Sequence, residues 1–421
     1  MLNVMKRGSK WQYRFDGATI DGKRKQISKS GFATKKEAVE AGTKAMAEYN
    51  SSGQCFEPSS ISVADYLDFW FDNYVKMNLK YNTQVGYLNI IENHLKPRFG
   101  SYRLSALQAA SIQQMVNDLK IRGYSKSQTT GIFSTLSGAL NYAVEPLHYL
   151  QFNPCRNVKL PRYERTTNKK KSIISKEDFK RMIERFPENS NFYIPLLIGY
   201  YTGLRISECF ALTWDDIDFE AKTLTVNKIT VKRNFGADAR RVLKEKGNKQ
   251  EKSTWYFGTP KTFGSNRTIL IGDFLCNELK KEKKRQLQNE LMYGEYYSKI
   301  YKSPEKDEKG DTIYRLIEVE KSVPVALEEA NLICRHENGK LVSTDSFKYA
   351  SRVINHGLGI DFSYHSLRHT HATLLVENGA NIKDVQTRLG HDCIETTLDT
   401  YTHSTKEMQQ KSVDIFESIA K

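Results

Sequence analysis

The sequence predicts a mainly α-helical chain with small β-sheets, an α+β fold of three domains. Its 421 residues exceed what a single hydrophobic core usually serves. Apolar residues recur at helical spacing in many segments, whereas alternating, strand-like segments are short. Polar or basic stretches at 51–61 and 159–171 indicate linkers between the periodic regions. We therefore expect domains at residues 1–57, 62–160 and 172–421.

The first predicted domain is a three-stranded sheet with one helix. Trp11, Tyr13 and Phe15 alternate with polar residues, which is the period of a half-buried strand. A turn at 21–22 leads into a basic strand, and Thr34 is suited to cap a helix that runs to about residue 48. An open basic face could enter a DNA groove, and a solvated charged hairpin is the alternative. The candidate DNA contacts here are Arg14, Lys23, Arg24 and Lys25.

The second predicted domain is a helical bundle that begins with a helix capped by Ser62. Its aromatic residues recur at helical spacing and indicate core. The further helices are predicted at about 82–96, 107–122 and 125–144. The candidate phosphate contacts on this bundle are Lys76, Lys80 and Lys126.

The linker at 159–171 holds six basic residues and one acidic residue. Such a segment, if flexible, could follow a DNA backbone electrostatically. A nuclear-localisation signal is the other use of a basic run. Its candidate DNA contacts are Arg162, Lys169, Lys170 and Lys171.

The third predicted domain mixes helices with short strands. Ser175 is suited to cap one helix, and an apolar helix ends at Gly203. Residues 259–269 are predicted to form a hairpin that turns at Gly264. Beyond it we expect a charged helix and loop within 280–325, a helix from His365 that stops before Gly379, a short helix ending at Gly390, and an amphipathic tail at 412–420.

Charge and composition limit the classes of molecule that the chain is expected to bind. The net charge of +15 favours a polyanion, nucleic acid first and an anionic membrane surface second. The sequence holds no apolar run of membrane-spanning length and no ATP-binding loop. Six scattered cysteines lack metal-ligand spacing and indicate reduced thiols in a cytoplasmic protein. We expect neither a cofactor nor a metal.

Four short motifs follow one another along the last domain. Residues 202–208 read Thr-Gly-Leu-Arg-Ile-Ser-Glu, and residues 365–369 read His-Ser-Leu-Arg-His. Residues 389–391 read Leu-Gly-His, and residues 401–403 read Tyr-Thr-His. This order resembles the active site of tyrosine recombinases, the integrase family that cuts and rejoins DNA through a phosphotyrosine bond. Residues 1–57 resemble the arm-binding domain of integrases of conjugative transposons, and residues 62–160 resemble the core-binding domain.

The resemblance implies one role for each residue. Tyr401 is the expected nucleophile, and Lys261 is the expected acid for the leaving 5′ oxygen, with Lys244, Lys246, Lys249 and Lys252 as competitors. The expected phosphate ligands are Arg205, His365, Arg368 and His391. Glu208 and His403 are expected to support them, Glu208 by orienting Arg205 or a neighbouring histidine.

The resemblance also implies partners. We expect double-stranded DNA with core and arm sites and a homotetramer assembled on DNA through the tail. A small excisionase and a host DNA-bending protein are the candidate accessory partners. A type IB topoisomerase or a non-catalytic DNA-binding regulator are the alternative functions. The separate basic first domain disfavours the topoisomerase, and the intact tyrosine disfavours the regulator.

Overall fold

The computed structural model describes residues 2–20, 23–52, 60–163, 172–233, 253–260, 263–307, 309–390 and 417. They belong to two compact units, Met1–Glu164 and Arg165–Lys421. The predicted fold class is confirmed, since helices dominate and the sheets are small and antiparallel. No helix within these ranges is long and apolar enough to cross a bilayer.

The first unit opens with an antiparallel sheet of three strands, in the order β1 (Asn3–Arg7), β2 (Lys10–Ile20) and β3 (Lys23–Phe32). Helix α1 (Lys35–Ser52) packs against it. Tyr13 and Phe15 point into the core and Arg14 points out, so the alternation in the sequence sets the buried face. The hydroxyl of Thr34 accepts from the Glu37 amide at 3.2 Å, the predicted cap.

A helical bundle follows in the same unit. Its helices are α2 (Val63–Trp70), α3 (Lys76–Asn78), α4 (Tyr81–Ile90), α5 (Lys96–Phe99), α6 (Ala109–Ile121) and α7 (Lys126–Val144), and π-helical turns at Phe71–Val75 and Ile91–Leu95 continue two of them. The Ser62 hydroxyl caps α2 by accepting from the Asp65 amide at 3.0 Å. Trp70 and Tyr66 are buried, and the Tyr66 hydroxyl donates to the Ala139 carbonyl. Tyr66 and Trp70 are therefore core, as the spacing predicted, whereas Tyr74 in the same series is 36% exposed.

The start of the basic linker is fixed on this bundle. Gln113 exchanges two hydrogen bonds with the backbone of Lys159, at 2.8 and 2.9 Å. Lys120 donates to the Arg162 carbonyl at 2.7 Å, and the hydroxyl groups of Tyr163 and Thr129 lie 2.7 Å apart. The expectation of a flexible linker does not hold for residues 159–163, because Gln113 and Lys120 of α6 bond its backbone and Thr129 of α7 bonds the Tyr163 hydroxyl.

The helices of the second unit are α8 (Lys176–Arg185), α9 (Tyr193–Thr202), α10 (Ile206–Cys209), α11 (Asp273–Tyr293), α12 (Phe347–Arg352), α13 (Tyr364–Glu377) and α14 (Ile382–Leu389). A π-helical turn at Val353–Gly357 continues α12. The apolar helix α9 lies in the core, between α11 and α13. Ser175 caps α8, as predicted, and Asn381 caps α14.

Two sheets complete this unit. One has three strands, in the order β4 (Ile217–Asp218), β5 (Thr223–Val226) and β8 (Arg267–Leu270). The other has five, in the order β11 (Glu328–Glu329), β9 (Ser298–Lys306), β10 (Thr312–Glu320), β7 (Thr254–Gly258) and β6 (Ile229–Arg233).

The strands on either side of Gly264 do not form the predicted hairpin. β7 pairs with β6 and β10, whereas β8 pairs with β5. A short 3₁₀ turn at Phe263–Ser265 lies between them. The pairing of β8 with β5 buries Leu224 beside Ile269, and this non-local packing outweighs the local hairpin.

The segment 280–325 also differs from its prediction. Helix α11 begins at Asp273, before the charged run, and the tyrosines that follow it belong to a turn and to β9 rather than to a helix. Tyr297 is buried, whereas Tyr296 is 80% exposed. Pro304 lies inside β9, where we had predicted a loop. Pairing with β10 holds this segment as strand β9, and no local helical signal in the segment opposes that pairing.

Candidate active site

Arg205 lies at the junction of two helices. Helix α9 stops at Gly203, whose φ of 68° is left-handed, and Arg205 then caps α10. The Arg205 guanidinium donates to Glu208 Oε1 at 2.7 Å, and its backbone amide donates to Glu208 Oε2 at 3.0 Å. The Arg205 side chain is 30% exposed and that of Glu208 is 1% exposed. Glu208 thus orients Arg205, which is one of the two roles that the sequence suggested for Glu208.

A second arginine shares the same carboxylate. Arg267, the first residue of β8, donates from Nη2 to Glu208 Oε2 at 3.0 Å. Burial by itself would raise the pKa of Glu208, but the charges of Arg267 and Arg205 outweigh burial and hold that pKa below its ordinary value. Glu208 is therefore an anion buried between two cations.

Arg368 lies on α13 and is 1% exposed. It donates to the Gly203 carbonyl at 2.9 Å and to the Leu389 carbonyl at 2.7 Å. These two bonds join the ends of α9 and α14. Arg368 therefore connects two elements of the site and also adds positive charge to it.

His365 occupies the same helix, α13, but is exposed. Its ring contacts that of His369 edge-on, with the ring centres 4.5 Å apart. His369 therefore packs against a candidate phosphate ligand.

The end of α14 is the meeting point of these groups. Gly390 has a left-handed φ of 66°, which ends the helix. The carbonyls of Arg388, Leu389 and Gly390 accept from Arg267, Arg368 and Arg205, at 2.7, 2.7 and 3.4 Å respectively. The chain thus enters the Leu-Gly-His motif with three successive carbonyls held by arginine side chains.

Four predicted site residues, Lys261, His391, Tyr401 and His403, lie outside the described residues, as do Lys169, Lys170 and Lys171. The structure therefore brings together Arg205, Arg368 and Glu208 and leaves the other assignments as predictions. Among the residues it describes, no group of three His, Cys, Asp or Glu side chains is arranged to hold a metal ion.

The candidate DNA contacts on the first unit differ in their surroundings. Arg14 is exposed on the sheet face opposite α1. Lys80, Lys126 and Arg162 are also exposed. Lys76 instead pairs with Asp72 at 3.0 Å and is 18% exposed. The backbone of Lys23, Arg24 and Lys25 lies in β3, but their side chains fall outside the described part.

Sequence reasoning missed three residues of this site, namely Arg267, His371 and Arg388. Arg267 shares the buried face of β8 with Ile269, and an arginine at an inward strand position signals a buried anion. His371 lies one helical turn after Arg368 on the buried side of α13. Arg388 gave no comparable signal, because its partners come from distant segments.

Comparison with known proteins adds the family. The model described as Phage integrase family matches residues 169–262 and 263–408. A model described as an Arm DNA-binding domain matches residues 3–48, and one described as a phage integrase N-terminal SAM-like domain matches residues 62–120.

Two relatives match over most of their length. A tyrosine recombinase XerC-like protein of Caldanaerobacter subterraneus subsp. tengcongensis is 27% identical over 419 residues, 98% of this chain and 97% of that protein. The ICEBs1 integrase of Bacillus subtilis is 25% identical, over 91% of this chain and 89% of its own length.

Solved structures share the fold. The Tn1549 transposon integrase in complex with a circular intermediate DNA gives a TM-score of 0.61 at 20% identity, covering 85% of this chain and 100% of that one. A lambda integrase dimer bound to a core site gives 0.53 at 16% identity, covering 81% and 95%. These likenesses agree with the mainly helical architecture.

Proposed function

Because the chain belongs to the phage integrase family and is a tyrosine-type site-specific recombinase, we propose that it integrates and excises a mobile genetic element. The reaction cuts and rejoins double-stranded DNA through a covalent 3′-phosphotyrosine. The likeness to the ICEBs1 integrase supports a conjugative or phage-like element as the source.

The observation that carries this proposal is the arginine cluster at the end of α14. Arg205 and Arg267 share the carboxylate of Glu208 there, and Arg368 donates to the Leu389 carbonyl at the same helix end. Such a surplus of fixed positive charge suits a phosphodiester that gains negative charge in a pentavalent transition state. The planar fork of Arg205 can hold two nonbridging oxygens, and its 30% exposure leaves it accessible to DNA.

In this proposal Tyr401 attacks the scissile phosphorus. The bond from phosphorus to the tyrosine oxygen forms as the bond to the 5′ oxygen breaks. The phenol proton passes to water, and Lys261 delivers a proton to the leaving oxygen. The energy of the cleaved phosphodiester bond is kept in the phosphotyrosine bond. The 5′ hydroxyl of a second strand can therefore attack that bond and rejoin the DNA without a nucleotide cofactor. Arg205, His365, Arg368 and His391 hold the phosphorane.

Arg368 has a dual part in this scheme. Because it is 1% exposed, a phosphate oxygen reaches it only when covering groups move aside on DNA. Its charge acts in either arrangement, since a buried site screens charges less than water does. Its hydrogen bonds to Gly203 and Leu389 set the distance between the helices that carry the site.

We further propose that the first unit supplies DNA contacts outside the scissile position. The domain at 1–57 binds arm sites through Arg14 and the basic end of β3, and the domain at 62–160 clamps core sites together with residues 172–421. Four copies on two duplexes, coupled through the tail at 412–420, exchange strands in the cytoplasm. An excisionase and a DNA-bending protein are the accessory partners that would set direction.

Covalent trapping tests the proposal. The chain is mixed with a nicked duplex from the ends of its element, in EDTA, and run on a denaturing gel beside Tyr401→Phe. A slowly migrating band that the variant lacks is the expected result. Specific binding without any band from the unmodified chain would instead support a non-catalytic regulator, and plasmid relaxation without strand exchange would support a topoisomerase.

A further inference from the structure

Arg267 links three of the elements that meet at the arginine cluster. Its Nη2 donates to Glu208 on α10, its Nε donates to the Arg388 carbonyl at the end of α14 at 2.7 Å, and its Nη1 donates to the Ser265 carbonyl at 2.9 Å. One guanidinium therefore ties the start of α10, the end of α14 and the turn before β8.

The burial of Arg267 separates its role from that of Arg205. Its side chain is 4% exposed, against 30% for Arg205. Three of its hydrogen bonds go to groups of the chain itself. The guanidinium of Arg267 is thus used for contacts within the chain, whereas the guanidinium of Arg205 is partly exposed.

Charge sharing gives Arg267 an effect on Arg205. Glu208 Oε1 lies 2.7 Å from Arg205 Nη1, and Glu208 Oε2 lies 3.0 Å from Arg267 Nη2. If Arg267 were lost, the whole carboxylate charge would fall on Arg205 and offset the positive charge that a phosphate needs. With Arg267 present, one of the two cations is left uncompensated.

The chain also makes room for this contact. A Cβ atom at Gly390 would lie 3.0 Å from Arg267 Nη1 and 3.1 Å from the Gly264 carbonyl. Glycine at 390 thus permits both the left-handed φ of 66° and the close approach of Arg267.

We propose that Arg267 is a positioning residue for strand transesterification. It fixes Glu208 and the end of α14, and so sets the guanidinium of Arg205 and the peptide that leads to His391. The inference rests on the proposed function, because it concerns the same site.

The test compares Arg267→Lys and Arg267→Gln with the unmodified chain. The rate of adduct formation on the nicked duplex is expected to fall about 100-fold, the scale of a small misplacement of a reacting group. The dissociation constant for the duplex should change less than about threefold, because the Arg267 side chain is only 4% exposed and makes its hydrogen bonds within the chain. Arg335→Lys is the matched control, since Arg335 is 6% exposed and donates to the Ala330 carbonyl elsewhere in the unit.

A second substrate separates positioning from general loss of structure. A methylphosphonate at the scissile position removes the negative charge that Arg205 compensates. If Arg267 acts through Arg205, the deficit of Arg267→Gln, which removes the charge at position 267, should shrink from about 100-fold to less than about 10-fold on this substrate. An equal deficit on both substrates would mean a merely structural role and overturn the inference. Gly390→Ala disturbs the same contact from the opposite side and provides a second variant if Arg267→Lys does not fold.

The outcomes keep the two proposals apart. If the unmodified chain forms no adduct, the proposed function fails and this inference fails with it. If it forms the adduct and Arg267→Gln does so at the same rate, the inference alone is overturned.

Discussion

His371 accepts a hydrogen bond at Nε2 from Nε of Arg388, with 3.0 Å between the nitrogens. Its other ring nitrogen, Nδ1, lies 2.9 Å from the Tyr200 carbonyl, which can only accept. His371 is therefore neutral with its proton on Nδ1. Arg388 also donates to the carbonyls of Leu270 and Tyr201, so the pair anchors α14 on β8 and α9.

The neutrality of His371 predicts a pH dependence of stability. Burial first, and then the charge of Arg388, lower its pKa from 6.5 to about 4. As pH falls from 6.5 to about 4, the unfolded chain takes up a proton that the folded chain refuses, so the free energy of unfolding decreases. The loss reaches on the order of 3 kcal/mol at the acid end of that window. Urea unfolding at several pH values measures it.

His371→Gln is the control for this titration. A glutamine can accept from Arg388 and donate to Tyr200 without titrating. Its free energy of unfolding should fall less than that of the unmodified chain between pH 6.5 and 4. Parallel curves for the two proteins would rule His371 out as the source.

Glu208→Gln should destabilise the second unit. The change leaves Arg267, 4% exposed, without a buried counter-ion. The free energy of unfolding should decrease by about 3–5 kcal/mol, the cost of breaking a buried pair. Glu282→Gln, at a 4% exposed carboxylate, should cost less because its partner Arg285 is 19% exposed and stays solvated. Equal losses in urea unfolding would contradict the distinction.

Gly203→Ala tests the contact between the ends of α9 and α14. Gly203 has a φ of 68°, and a Cβ atom there would lie 2.8 Å from Leu389 Cδ2 and 3.0 Å from His371 Cδ2. Gly359→Ala is a matched control, with a φ of 69° and nothing within 4 Å. We expect the control to cost about 1 kcal/mol from backbone strain, and Gly203→Ala about 1–3 kcal/mol more from overpacking. If both variants lower the melting temperature equally, backbone strain alone explains the loss and overpacking does not contribute.

Lys261→Ala tests the assignment of the acid. Adduct formation should slow by about 10²–10⁴-fold, because the 5′ oxygen would leave without a proton. A duplex with sulfur in place of that oxygen should restore the rate, since a thiolate leaves unprotonated at neutral pH. Lys244→Ala should behave like the unmodified chain on both duplexes. Sulfur rescue of Lys244→Ala in place of Lys261→Ala would transfer the role to the competitor.

Arg14→Ala tests the sheet of the first unit as a DNA surface. Arg14 is exposed on the face opposite α1, between Asn3 and Ser28 of the neighbouring strands. Losing one phosphate contact should reduce the salt dependence of arm-site binding by about one in the slope of log K against log salt. Lys44→Ala on α1 should leave the slope unchanged, and binding titrations at several salt concentrations decide between them.

The sequence by itself determined the helices and the order of the chemical groups. Ser62, Ser175 and Asn381 cap helices through bonds within three residues, and Gly203 and Gly390 end them through their own backbone. These signals are local, and so a reading along the chain finds them. The same reading found Arg205, Glu208 and Arg368 from their motifs.

Only the tertiary structure decided which distant segments meet. β8 pairs with β5 rather than with the neighbouring β7, and this pairing delivers Arg267 to Glu208, 59 residues away in sequence. The bond between His371 and Arg388 likewise joins separate helices. Such contacts depend on the packing of the whole core and on the cost of leaving a buried charge unpaired. Neither the core packing nor that cost can be predicted from the spacing of residues along the chain.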